Sequence, residues 1–188
     1  MVRLAQNMYI APQCDANVQI GSIFEPVINS LETALDGFIP SGLAADLKAR
    51  ALTGKPIRIG LIGSGMMGGD IVTQVLHMQG IVVAAIADIH IPGVLAALLD
   101  AGHGPSAHRV TESQSSLDQA IHDGYIAVTQ DAQLVCRSDL IDVVIDATGK
   151  PVVGAEIGLT AMEHGKHLVM MNVEADVTIG AYLKHEAD

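Results

Sequence analysis

Gly63-Ser64-Gly65-Met66-Met67-Gly68 spaces three glycines as G-x-G-x-x-G directly behind the apolar run at residues 57–62. After a strand and ahead of a helix, this spacing suits a phosphate-binding turn. Gly63 permits a tight turn, Gly65 lets the backbone approach a pyrophosphate, and Gly68 allows close helix–strand packing. The backbone N–H groups around Ser64, Met66 and Met67, at the positive end of the helix, are expected to hold the phosphate oxygens. Twenty residues after Gly68 a second apolar run ends in Asp88, a carboxylate placed to accept hydrogen bonds from ribose hydroxyls. A tight turn without a ligand is the plainer alternative, but the acidic residue in register favours a dinucleotide. A carboxylate also repels a 2′-phosphate, and Ile89, His90, Ile91 and Pro92 bring no Arg or Lys beside it. The local chemistry therefore leans towards NAD, with His90 and the more distant Arg109 as the groups that would help NADP.

Two further segments carry polar groups behind apolar runs. In Asp146-Ala147-Thr148-Gly149-Lys150-Pro151, the residues Ala147, Thr148 and Gly149 are expected at the nicotinamide end of the cofactor. In Asn172-Val173-Glu174-Ala175-Asp176, Asn172 and Glu174 are expected to point into the same crevice, towards a carboxamide, a substrate or a metal. A solvated loop capped at Asp176 is the alternative there. The histidines make no site: Gly165 separates His164 from His167, and no Cys or carboxylate framework surrounds His103 and His108. The sequence has no G-x-S-x-G elbow, P-loop lysine or H-E-x-x-H pattern.

The elements that must position these groups alternate. Apolar runs at 57–62, 81–87, 126–129, 140–147 and 167–171 read as five strands. Helical spacing occupies 67–78, 93–101, 117–123, a short stretch capped by Asp131, and 152–164. An earlier helix is capped by Ser41 and closed by Gly54, and another begins at Thr178. Residues 102–114 have the composition of a loop. Strand–helix alternation predicts an α/β fold with a doubly wound, Rossmann-type parallel sheet over residues 41–188. The sheet reads as cut off before a sixth strand and a catalytic domain, and its uncovered edge favours a homo-oligomer. Residues 1–40 read as an extension, with one amphipathic helix or a poorly ordered leader.

The 188 residues carry 10 basic and 21 acidic side chains, a formal charge of −11 that argues against nucleic acid as a partner. Five aromatic residues, three Tyr and two Phe, offer little for base stacking. A mean hydropathy of +0.39 excludes disorder along the whole length. Two cysteines, Cys14 and Cys136, form no disulfide framework and suit a reducing compartment. No membrane-length apolar run and no signal-peptide pattern is present, so a cytoplasmic protein is expected.

Together IRIGLIGSGMMGGDIVTQV, AAIAD, DVVIDATGKP and HGKHLVMMNVEADVTIG resemble the N-terminal domain of homoserine-dehydrogenase-like oxidoreductases, most closely the DXR-like (DRL) group with a C-terminal SAF-type domain. The resemblance covers roughly three quarters of the chain from about Ala44, and MNVEAD is its most specific part. It implies hydride transfer to or from a small, sugar-like carbonyl or alcohol, with or without a phosphate, using NADP or NAD. The resemblance also implies a divalent metal in the full-length family, without assigning it to residues of this sequence. By the same resemblance Gly63, Gly65 and Gly68 hold the pyrophosphate, Asp88 the adenosine ribose, and Ala147 to Gly149 the nicotinamide side. Homoserine dehydrogenases tend to carry Asn-Lys where this sequence has Asn172-Val173, a departure from that substrate. Homoserine dehydrogenase and a non-catalytic nucleotide-binding or oligomerisation module stand as the alternatives.

Overall fold

The computed structural model describes residues 42–187. The Ser41 cap and the expectations for residues 1–40 lie outside them. The chain runs α1 (Leu43–Leu52), β1 (Ile57–Ile62), α2 (Met66–Val75), β2 (Ile81–Ala87), α3 (Ile91–Asp100), a 3-10 turn (Pro105–Ala107), β3 (His108–Val110), α4 (Gln114–His122), β4 (Ile126–Thr129), α5 (Ala132–Arg137), β5 (Val143–Asp146), α6 (Pro151–Glu163), β6 (His167–Met170) and α7 (Val173–Ala187). The strands form one sheet in the order β3-β4-β2-β1-β5-β6, and every neighbouring pair is parallel.

Parallel strands buried on both faces need continuous apolar sequence, and β2 and β4 supply it. β4 is buried at all four positions and β2 at its last five. On one face Leu61, Ile86 and Val128 pack with Val72 of α2 and Val94 and Leu98 of α3. On the other, Ala85, Ala127 and Val144 pack with Leu117, Val135 and Ile157 of α4, α5 and α6. The sheet is thus covered by helices on both sides, the doubly wound Rossmann-type arrangement. Strand order reverses between β1 and β5, which opens a crevice at their carboxyl ends.

Three expectations need correction. The stretch 102–114 is not all loop: His108–Val110 pairs with Ile126–Val128 as a sixth strand at the sheet edge. Two of its three residues are exposed, so backbone pairing alone makes it a strand. This extra strand lies at the edge opposite β6, and no strand lies beyond β6 among the described residues. Secondly, α4 starts at Gln114 and not at Leu117, because Ser113 and Ser116 form a reciprocal capping box. Thirdly, α7 begins at Val173, five residues before Thr178, so Asn172 to Asp176 is a helix start instead of a loop.

Candidate functional site

The turns leaving β1, β2 and β5 are each fastened to a neighbouring strand. The Gly63 N–H donates to the Ala87 carbonyl at 2.8 Å, Ala147 N–H to Ile62 at 2.8 Å, and Asp88 N–H to Thr129 at 3.0 Å. These bonds align the ends of β1, β2, β4 and β5 along one cleft of about 330 Å³. Its walls include Gly63, Gly65, Asp88, Ala147 and Thr148, five residues expected from sequence.

The glycine turn has the required shape. Gly63 has φ +94°, a conformation L side chains rarely adopt, and a Cβ on it would lie 2.7 Å from the Ala147 carbonyl oxygen. A Cβ on Gly68 would overlap the Gly63 carbonyl oxygen, so the third glycine allows α2 to start against the turn. Gly65 differs from both, because its Cβ would meet nothing within 4 Å. That space lies beside the start of α2, whose first-turn N–H groups lack intrahelical acceptors. No acidic side chain occupies that turn to compete for them. An anionic pyrophosphate fits this position. Met66 and Met67 contribute backbone N–H groups at the helix start, while their side chains stand 85% and 51% exposed.

Asp88 is anchored by three hydrogen bonds from the protein. Its Oδ2 accepts from the Ser64 N–H at 2.7 Å and the Ser64 hydroxyl at 2.8 Å, while Oδ1 accepts from the His90 N–H at 2.8 Å. Partial burial pushes the carboxyl up. The Ser64 and His90 backbone N–H groups, the Ser64 hydroxyl and the charge of His90 outweigh it, holding Asp88 below the ordinary carboxylate range. A carboxylate offers about four acceptor positions, so one remains for a ribose hydroxyl.

Arg109 does not serve this site. It lies over the Tyr125 ring at 3.9 Å and faces Asp123 at 3.9 Å, near the amino end of β4. The cation that does line the cleft is Lys150, at the β5–α6 turn. Its segment stands out in the sequence, but nothing there singles out the lysine. Ile89, Gln130 and Val153 also line the cleft and were missed. Gln130 donates from Nε2 to the Ile89 carbonyl at 3.0 Å, joining the β4–α5 and β2–α3 turns. Its position directly after β4 was the available signal, since carboxyl strand ends face the crevice.

The nicotinamide-side expectation divides. Thr148 lines the cleft and donates through N–H and Oγ1 to Asp146 Oδ1, at 2.9 and 2.7 Å. Gly149 follows with φ +62°. Asn172, expected to face the crevice, is instead 1% exposed, behind the turn, and spends its carboxamide on protein partners. Glu174 is exposed on the first turn of α7 and does not line the cleft. Both corrections follow from the early start of α7, which turns Asn172 into its capping residue: Oδ1 accepts from the Ala175 N–H at 3.2 Å. Among the described residues no three His, Cys, Asp or Glu side chains converge on a cation position, and no helix is long and apolar enough to cross a membrane.

A glycine turn, an acidic residue directly after the neighbouring strand and a cleft at the switch point fit a dinucleotide, and comparison with known proteins agrees. The family model described as homoserine dehydrogenase, NAD binding domain, matches residues 63–184. A homoserine dehydrogenase of Methylobacillus glycogenes is 30% identical over 118 residues, covering 63% of this chain and 25% of the relative. A glycosyl hydrolase family 109 protein of Bacteroides thetaiotaomicron is 32% identical over 126 residues, covering 65% of this chain and 23% of the relative. The chain therefore matches about a quarter of the length of these curated relatives. The crystal structure of a homoserine dehydrogenase from Thiobacillus denitrificans shares the fold, with a TM-score of 0.52 and 20% identity over 71% of this chain and 27% of that one. With 122 of 188 residues matched (63 to 184 inclusive), the chain belongs to the homoserine dehydrogenase NAD-binding domain family.

Proposed function

We propose that the cleft binds NAD in preference to NADP, as the cofactor module of an oxidoreductase acting on a small, sugar-like carbonyl or alcohol. One observation carries the cofactor preference. Asp88 is an anchored carboxylate on the cleft wall, and Arg109, the distant guanidinium considered for a 2′-phosphate, is engaged with Tyr125 and Asp123. A 2′-phosphate beside Asp88 would set two anions against each other with no guanidinium between them.

In this reading the backbone around Gly63 to Gly68 and the start of α2 hold the pyrophosphate. Asp88 holds the adenosine ribose, and Ile89 with Gln130 forms the wall beside it. Ala147, Thr148 and Gly149 carry the nicotinamide side, with Lys150 at the same end. The bound nicotinamide supplies or accepts the hydride, while these residues orient it. The substrate class is supported by the resemblance carried by MNVEAD to the DXR-like oxidoreductases.

Calorimetric titration of the 188-residue chain with NADH and NADPH tests the proposal. The expected result is NADH binding at least about tenfold tighter, the order of one unfavourable charge contact. Equal affinities, or tighter NADPH, would overturn the preference. No binding of either ligand to folded chain would overturn the dinucleotide reading.

A further inference from the structure

Asn172 is the largest fully buried polar side chain among the described residues, and the dinucleotide reading gives it no ligand to touch. Its amide nitrogen lies 2.9 Å from Asp146 Oδ2, 3.1 Å from Thr148 Oγ1 and 2.9 Å from the Lys150 carbonyl oxygen. With two hydrogens for three acceptors, one bond is shared. Its Oδ1 accepts from the Ala175 N–H, and its backbone carbonyl from the Asp176 N–H at 3.0 Å. One carboxamide thus ties the turn after β5 to the turn after β6.

The slot around it fits closely. Gly154 of α6 faces the amide, and a Cβ there would lie 2.6 Å from Asn172 Nδ2, 2.6 Å from Asp146 Oδ2 and 2.9 Å from Ala175 Cβ. Three elements press on the group, so the geometry of Thr148 and the Lys150 backbone is set from behind, out of reach of solvent. Thr148 and Lys150 in turn line the cleft.

Resting on the dinucleotide reading, we propose that Asn172 is a positioning residue: through Asp146, Thr148 and the Lys150 carbonyl it holds the turn that receives the nicotinamide half of the cofactor. The adenosine half is held by a separate set of groups, the glycine turn and Asp88, which Asn172 does not touch. The two halves should therefore respond differently to its replacement.

Asn172→Ser keeps a hydroxyl able to cap the Ala175 N–H but is too short to hold all three acceptors. The full chain would be titrated with NADH and with ADP-ribose, which lacks the nicotinamide. NADH affinity is expected to fall about tenfold, the scale of one or two lost buried hydrogen bonds, while ADP-ribose stays within about twofold. Equal loss for both ligands assigns Asn172 to general stability and overturns the proposal, as does unchanged NADH affinity. Should the variant fail to fold, nitrogen-15 NMR of the wild-type chain decides. NADH, and not ADP-ribose, must shift the Asn172 side-chain amide and the Thr148 N–H, and identical responses overturn it. A folded wild-type chain that binds neither ligand defeats the dinucleotide reading itself, and this inference with it.

Discussion

A methyl group on Gly65 meets no atom within 4 Å, whereas one on Gly68 overlaps the Gly63 carbonyl oxygen. Two glycines of one motif should therefore fail in opposite ways. Gly65→Ala is expected to change stability by no more than about 1 kcal/mol, as an N-cap change on an exposed turn, yet to weaken NADH at least about tenfold by filling the phosphate space. Gly68→Ala is expected to lower stability by about 1–3 kcal/mol through overpacking, whatever its effect on ligand. Urea melts and calorimetry on both variants separate the two, and a Gly65→Ala chain that binds normally would remove the phosphate from this turn. Asp88 adds a pH signature. Its carboxyl is held below the ordinary value of 3.8, so folding gains from its ionised form above that pH. The gain fades as pH falls from 3.8 through the lower folded-state value. The stability advantage of wild type over Asp88→Asn should shrink on acidification through that window and stay flat between about pH 5 and 7. A difference that persists unchanged below pH 3 would show that the carboxylate is not what anchors Ser64.

At the scale of elements, what was legible in sequence was what burial writes there. The limits of β1, β2 and β4 follow from apolar runs that two helical layers must cover, and Gly54 and Gly165 mark the helix ends with φ of +68° and +65°. The glycine turn was legible because Gly63 takes φ +94° and Gly68 has no room for a Cβ, and Asp88 because it directly follows the second apolar run. What stayed hidden is determined by partners distant in sequence. β3 has two exposed residues of three and exists through its pairing with β4. Asn172 looked like a cleft residue because its hydrogen-bond partners at Asp146, Thr148 and Lys150 lie 22 to 26 positions away. The start of α4 was nearer to view, since Ser113 and Ser116 are three apart, but the apolar periodicity begins only at Leu117 and drew the boundary there. That box gives its own test: Ser113→Ala should cost about 1 kcal/mol in a urea melt and leave NADH affinity unchanged, because α4 does not line the cleft. A loss of binding would mean that α4 is coupled to the site.

For the whole molecule, Cys136 reports whether the domain opens as one unit. It is fully buried on α5, with its Sγ 3.9 Å from the Ile157 carbonyl of α6, on the helical layer facing away from α2. Burial pushes its thiol up to about 12; Arg137 works against that shift, and Asp131 and Asp146 add to it. A thiol both neutral and enclosed reacts only when the structure opens. In a Cys14→Ser background, labelling of Cys136 by an aromatic disulfide at pH 8 is therefore expected to run at a small fraction of the rate in urea. If exposing Cys136 requires the sheet to part from its helices, the cleft at the end of that sheet is lost in the same event. Ligand that binds only the closed form then slows labelling by the factor 1 + [L]/Kd, about a hundredfold at a hundred times Kd. Full protection by NADH would make α5, α6 and the cleft one cooperative unit. Labelling that NADH leaves unchanged would mean that α5 and α6 separate while the glycine turn stays formed, and the two faces of the sheet would then have separate stabilities.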